Sequence, residues 1–311
     1  MERIPLLLDV DTGTDDAICI ICALLCQDRL DIQAATAVCG NVSVERTSRN
    51  TLDLLRALGS EVPVGKGADK PLVKKLHFAK SHGKTGLGDV VLPASSDTFS
   101  DLPACELIYQ TARNCGGRLN LLAVGPLTNV ALALEAHPDL PELIEQITIM
   151  GGGLHGGNMT MTSEFNIYND PEAAKQVFAS GMKLTMVGLD VTLKPKLPQR
   201  VVDTLFSQPS PHAKLAVEFL QFMQRRRLTI GGDDPNLHDV MALTAILQPD
   251  LFTFEHHYMD VETEGVITRG MTIADFHHVE NCPANVRVAV DIDIDGFWTW
   301  FVGLFAAADS N

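Results

Sequence analysis

Short apolar runs that recur with amphipathic stretches between them restrict this chain to one class of fold. Ile4–Leu8, Asp31–Val38, Leu119–Val124, Ile147–Met150 and Leu184–Leu189 read as buried strands. Between them, Thr14–Gln27, Val44–Leu58 and Pro126–Ala136 carry helical periodicity. Another helix opens at Asp170-Pro171-Glu172, with Asp as N-cap, Pro at the first helical position and Gly181 after its end. Parallel strands need long crossovers, and helices supply them, so this rhythm predicts an α/β fold with an open, mostly parallel sheet covered by helices on both faces. From Pro198 the rhythm changes to helices at Pro198–Phe206, Pro211–Leu228 and Leu237–Leu247, then strands at Thr253–Glu262 and Val286–Ile294 and a last helix ending at Ala308. No repeat or linker interrupts the chain. A single domain over 1–311 with a helical cap near 198–247 is expected.

Composition narrows the function. An apolar fraction of 46% can fill a substantial core, which excludes wholesale disorder. The formal charge of −15 argues against a nucleic-acid partner, because phosphate backbones demand clustered Lys and Arg. It suits a neutral or cationic small molecule and bound metal ions. The seven cysteines are an odd number, thinly spread, and make no disulfide framework. Cys19, Cys22 and Cys26 share one helix face inside an apolar run, where free Cys behaves as a small hydrophobe. Met1–Pro5 leads into only a short apolar run, unlike a signal peptide. Ala17–Cys26 and Gly296–Ala308 fall short of the ~20 residues that span a bilayer. The cytoplasm is the expected compartment, with no membrane partner.

In open α/β sheets, ligands bind beyond the carboxyl ends of the strands. Asp9–Asp16, Gly40-Asn41, Gly125–Asn129, Gly151–Asn169 and Asp190 all fall at such ends, so one crevice can draw on five loops. The most informative is Asp9-Val10-Asp11-Thr12-Gly13-Thr14-Asp15-Asp16, with four acids besides the backbone turn. One Asp at a helix start is ordinarily an N-cap. Crowded carboxylates repel, however, and stay ionised only if a cation joins them. All-oxygen ligation suits Ca²⁺ or Mg²⁺. An Asp-x-Asp after a strand also opens the site of haloacid-dehalogenase-like phosphohydrolases, where the first Asp is the nucleophile. Those enzymes usually have Thr or Val at the position of Gly13 and need a late acidic pair, a role into which Asp233-Asp234 can only be forced.

A second signal is His238-Asp239 at a helix start. A lone His there is more often a structural donor, but adjacent helix residues diverge by about 100°. Asp239 can therefore reach a metal while His238 points at another part of a substrate. The third signal is Ser163-Glu164-Phe165-Asn166, preceded by Asn158. Amide and carboxylate groups at that density suit sugar hydroxyls, although such residues also build ordinary turns.

Taken together, these segments resemble the inosine–uridine-preferring nucleoside hydrolases. Asp9-x-Asp11-x-Gly13-x-Asp15-Asp16 is similar to that family's signature. Gly40-Asn41, His82-Gly83, Gly125-Pro126-Leu127-Thr128-Asn129, Met150-Gly151-Gly152, Glu164-Phe165-Asn166, Asp170-Pro171-Glu172-Ala173-Ala174 and His238-Asp239 follow in family order. The resemblance runs from about Ile4 to the final helix. It implies a Rossmann-like nucleoside hydrolase fold and a calcium-dependent enzyme that releases ribose and free base from ribonucleosides, as a homodimer or homotetramer. Carried over by position, Asp11, Asp16 and Asp239 ligate calcium with the main-chain carbonyl of Val124. Asp15, Asn41, Asn158, Glu164 and Asn166 clamp the ribose, Met150 and Phe165 pack along it, and His82 sits in a Gly-rich lid.

The chemistry of the residues is compatible with that implication. Breaking a C–N glycosidic bond leaves an oxocarbenium-like sugar and a poor leaving group. A metal can acidify a water whose proton Asp11 takes as general base, nearby carboxylates stabilise positive charge, and His238 is the nearest proton donor to the base. One departure stands out. Related enzymes often carry a Tyr in the helix before His-Asp, whereas this chain has Gln224-Arg225-Arg226-Arg227-Leu228 and then Thr229-Ile230-Gly231-Gly232. The leaving-group acid and the choice of purine or pyrimidine are thus not fixed by the sequence. The arginines read either as a solvated face or as groups that approach the base. A catalytically silent, calcium-dependent nucleoside-binding protein is the non-enzyme alternative.

Overall fold

The computed structural model describes residues 2–230 and 234–308. Gly231, Gly232 and Asp233 therefore lie outside the described residues. Ten strands are present among those described: β1 (Ile4–Val10), β2 (Leu30–Ala37), β3 (Val64–Lys66), β4 (Leu119–Ala123), β5 (Ile144–Met150), β6 (Leu184–Val187), β7 (Phe252–His257), β8 (Met259–Val261), β9 (Thr272–Ala274) and β10 (Val286–Ile292). Eight form one open sheet in the order β3-β2-β1-β4-β5-β6-β10-β7, parallel throughout except for β7. The remaining two, β8 and β9, make a small antiparallel pair.

Alternation along β1 explains the layers. Leu6, Leu8 and Val10 join one apolar cluster, and Leu7 joins the other. A strand buried on both faces belongs in the middle of a helix-covered sheet. One face is covered by helices Thr14–Leu25, Gln199–Phe206, Pro211–Ile230, His238–Leu247 and Ile294–Ala308. The opposite face carries Ala104–Cys115, Thr128–Ala136 and Pro171–Ala179. Leu205, Phe219, Leu220 and Met241 from the expected cap thus share a cluster with Leu6 and Ile18. Helix Thr14–Leu25 is buried almost all round, which accounts for its apolar length and for the buried thiols of Cys19 and Cys22. No helix of the described residues is long and apolar enough to cross a membrane.

Two features depart from the sequence reading. The expected continuous strand Thr253–Glu262 divides at Tyr258 into β7 and β8, which join different sheets. Asn285 makes the break: its Oδ1 accepts from Met259 N at 2.8 Å and its Nδ2 donates to Met259 O at 2.9 Å, occupying positions a strand partner would take. The expected strand Leu184–Leu189 stops at Val187, and Leu189–Thr192 turns into a short helix. Strand β3 and helix Ala104–Cys115 add to the elements expected from the sequence. A three-residue strand is below the reach of periodicity, whereas Ala104, Leu107, Ile108, Thr111, Ala112 and Cys115 recur at helical spacing and form the buried face of the helix.

Strand order sets the site. From β1 the chain builds outward through β2 and β3 on one side, and through β4, β5 and β6 on the other. The carboxyl ends of β1 and β4 therefore flank the reversal point, where a crevice opens.

Candidate active site

Beyond β1, residues 11–13 turn the chain into helix Thr14–Leu25. Asp16 reaches back into this turn: its Oδ2 accepts from Gly13 N at 2.8 Å and its Oδ1 from Asp11 N at 3.1 Å. The simple capping role of an acid at a helix start is thus filled by Asp16. Asn41, arriving after β2, donates its Nδ2 to the same Asp16 oxygen at 3.1 Å and its backbone N–H to Asp11 Oδ2 at 2.7 Å. Gly13 permits this convergence. A Cβ there would stand 2.6 Å from Asn41 Nδ2 and 2.7 Å from His82 Nδ1.

Asp239 completes the floor from the start of helix His238–Leu247. Asp15, Asp16 and Asp239 each bring one carboxylate oxygen, and these oxygens lie within 4.8 Å of one another. The resemblance groups Asp11 with Asp16 and Asp239, and Asp15 with the sugar. In the structure Asp15 stands inside the trio, while Asp11 adjoins it through Asp16. Burial pushes the carboxyls of Asp11 and Asp239 well above the usual range, and neighbouring acids push them further. Asp16 rises to about 7, from burial first and the charge of Asp15 second. Among the described residues, no Lys or Arg pairs with these four acids; the nearest basic partner is His82, whose Nδ1 lies 3.9 Å from Asp15 Oδ1. Buried, mutually repelling, oxygen-only donors fit a hard cation.

The residues expected on the sugar side lie beside this floor. Asn166 Nδ2 donates to the carbonyls of Val124 at 2.7 Å and Met150 at 3.0 Å, so the Val124 oxygen does stand beside the crevice residues. Glu164 caps the short helix Phe165–Asn169 and accepts from the backbone of Gly152, Asn166 and Ile167. Burial nonetheless raises its carboxyl to about 7. Asn158 is exposed and accepts from Phe165 N at 2.9 Å, which places it at the rim beside the half-buried Phe165. Met150 is buried, with its sulfur 3.7 Å from Asn166 Nδ2.

Two histidines stand on the remaining side. His82 Nδ1 accepts from Thr14 N at 3.0 Å, so the neutral ring carries its proton on Nε2. His238 Nδ1 lies 2.8 Å from the hydroxyl of Thr192. Burial lowers both pKa values; for His238, His82 and Lys196 lower it further against the opposing pull of Asp15. Thr192 escaped the sequence reading, which singled out Asp190 after the same strand. Asp190 is engaged by Leu154 N and His155 Nδ1 instead. Nothing in the spacing distinguishes a hydroxyl two residues further on. Two other motifs brace the floor: Asn129 bonds Asp9, Ala37 and Ala68, and Asp170 bonds Thr128, Leu72 and Ala173.

The chain matches known proteins over nearly its whole length. Residues 6–299 match the family model described as inosine-uridine preferring nucleoside hydrolase. The chain is 40% identical to a pyrimidine-specific ribonucleoside hydrolase RihA of Citrobacter koseri, over 94% of this chain and 95% of that protein. Among solved structures, it is similar to a purine-preferring ribonucleoside hydrolase from Gardnerella vaginalis, with a TM-score of 0.91 and 32% identity over 97% of this chain and 98% of that one. A plant nucleoside hydrolase, PpNRh1, gives the same TM-score at 29% identity, over 98% and 99% of the two chains.

Proposed function

The chain belongs to the inosine-uridine preferring nucleoside hydrolase family and is an N-glycosyl hydrolase of ribonucleosides, and from that premise we propose that it is calcium-dependent and favours pyrimidine ribonucleosides. The observation that carries the metal is the trio Asp15, Asp16 and Asp239, buried with no Lys or Arg partner among the described residues. The base preference rests on the 40% identity to the pyrimidine-specific relative.

In this reading Asp11, Asp16 and Asp239 would hold the ion with the Val124 carbonyl, and Asp15, which stands in the same carboxylate trio, would meet the sugar. When bound, calcium supplies the positive charge that lets a nearby water lose a proton close to neutral pH. Asp11 accepts that proton as general base. The water oxygen forms the new bond to the anomeric carbon as the C–N bond breaks, and the bonding pair leaves with the base. Asn41, Asn158, Glu164 and Asn166 orient the ribose, and the surrounding carboxylates stabilise its developing positive charge. Met150 and Phe165 exclude water from the sugar face. The departing nitrogen needs a proton, for which His238 is the nearest candidate. His82, with its Nε2–H free of the Thr14 contact, supports the base side.

Nucleoside salvage in the cytoplasm, by a homodimer or homotetramer, completes the proposal. A reducing-sugar assay over uridine, cytidine, inosine and adenosine tests it. Ribose release that is fastest for uridine or cytidine is expected, and a purine maximum would overturn the base preference. Phosphate release from nucleotides without ribose would favour a phosphohydrolase, and binding without turnover a silent receptor.

A further inference from the structure

Helix Pro211–Ile230 meets the loop carrying His82 along a short seam. Phe222, Arg225, Arg226 and Thr229 recur at helical spacing and so share one face. Arg226 Nη2 donates to the Lys80 carbonyl at 2.8 Å, two residues before His82. Arg225 Nη2 lies 3.4 Å from Asp89 Oδ2. The Phe222 ring presses on Gly88, where a Cβ would come within 2.5 Å of it. The floor holds the loop from its other margin: Asn50 Nδ2 donates to the Thr85 carbonyl at 2.9 Å and to that of Thr12 at 3.1 Å. His82 lies between these anchorages, against Thr14 and Asp15.

The arginines are not equivalent. Arg227 pairs with Asp234, away from this seam. Arg225 and Asp89 are both exposed, and exposed pairs contribute little. Arg226 is half-buried, and its Nε is enclosed with no hydrogen-bond partner among the described residues. A guanidinium enclosed in that way depends on its remaining hydrogen bonds, and a charged donor to a carbonyl is a strong one. Fixing the Lys80 carbonyl fixes the backbone immediately ahead of His82.

We propose that Arg226 is a positioning residue for the hydrolytic reaction, acting through His82 by holding the Lys80 carbonyl. The inference rests on the reading of His82 as a substrate-side residue. A double-mutant cycle with Arg226→Met and His82→Ala, assayed as ribose release with calcium present, tests it. Arg226→Met should lower kcat/KM about tenfold, the scale expected when a reacting or binding group is slightly misplaced. Arg226→Lys should recover most of that loss. In the His82→Ala background, Arg226→Met should change kcat/KM by less than about twofold, because coupled residues do not act independently. Hydrogen exchange at residues 82–88 should accelerate in Arg226→Met while helix Thr14–Leu25 stays protected, which reads the positioning even without turnover.

Equal losses from Arg226→Met in both backgrounds would overturn the inference while leaving His82 in place. Unchanged kcat/KM and exchange in Arg226→Met, with His82→Ala impaired, would do the same. Wild-type kinetics for His82→Ala would instead overturn the reading of His82 itself, and the inference with it.

Discussion

Asp11 and Asp16 are fully buried and take hydrogen bonds from backbone N–H groups of their own turn and of Asn41. His82 reaches the same point from a loop tied down by the side chains of Asn50 and Arg226. The floor is thus an extension of the sheet, while the cover is an attachment to it. Backbone donors fixed by β1, β2 and the start of a helix cannot be altered without altering the fold. Side-chain ties can be exchanged one at a time. If the proposed roles hold, that difference would put bond cleavage in the floor and base selection in the cover.

The sharpest way to break this division is to remove the metal. Treatment with EGTA should suppress ribose release on the order of 1,000-fold, since the floor then lacks the charge its acids need, and added calcium should restore it. Activity indifferent to EGTA would remove calcium from the floor's role. A smaller loss is expected from His238, which stands beside Asp239 at the margin of the floor. His238→Ala should lower kcat about 100-fold, the ordinary scale of a single acid–base group. The loss should be greater for uridine than for a nucleoside with an activated leaving group, and equal losses would detach His238 from the departing base.

The smallest effect concerns stability. Asp16 and Glu164 titrate at about 7 in the folded chain, and Asp9 at about 6, all raised by burial. Unfolded carboxyls titrate near about 4, so the folded state binds more protons between there and about 7. Stability from these groups is complete below that window and is lost as pH rises through it. In EGTA the melting temperature should fall between pH 5 and pH 8. Calcium favours the ionised acids and should flatten the slope. Equal slopes with and without calcium would mean that the floor's acids do not meet the ion.

The same contrast governs what the sequence reveals. Asp9–Asp16 are neighbours in the chain, and a strand-to-helix turn leaves them little choice but to share one place, so the floor was legible. His238-Asp239 was legible because two polar side chains stand together at a helix start. The position of Asp15 within the carboxylate trio was not, because spacing says which residues enter the turn and not which way each side chain leaves it. Thr192 was hidden because a hydroxyl near a strand end carries no pattern of its own. The break in Thr253–Glu262 depends on Asn285, which is distant in sequence and invisible to local alternation. The arginine run was ambiguous for the same reason: the loop that Arg226 meets lies more than a hundred residues earlier.

The proposed hydrolysis places the general base at Asp11, in the floor. It is tested most directly by ribose release from uridine catalysed by Asp11→Ala, in saturating calcium, with unchanged circular dichroism and melting. A loss of turnover of about 1,000-fold or more is expected. Turnover within a few fold of the parent enzyme would contradict it.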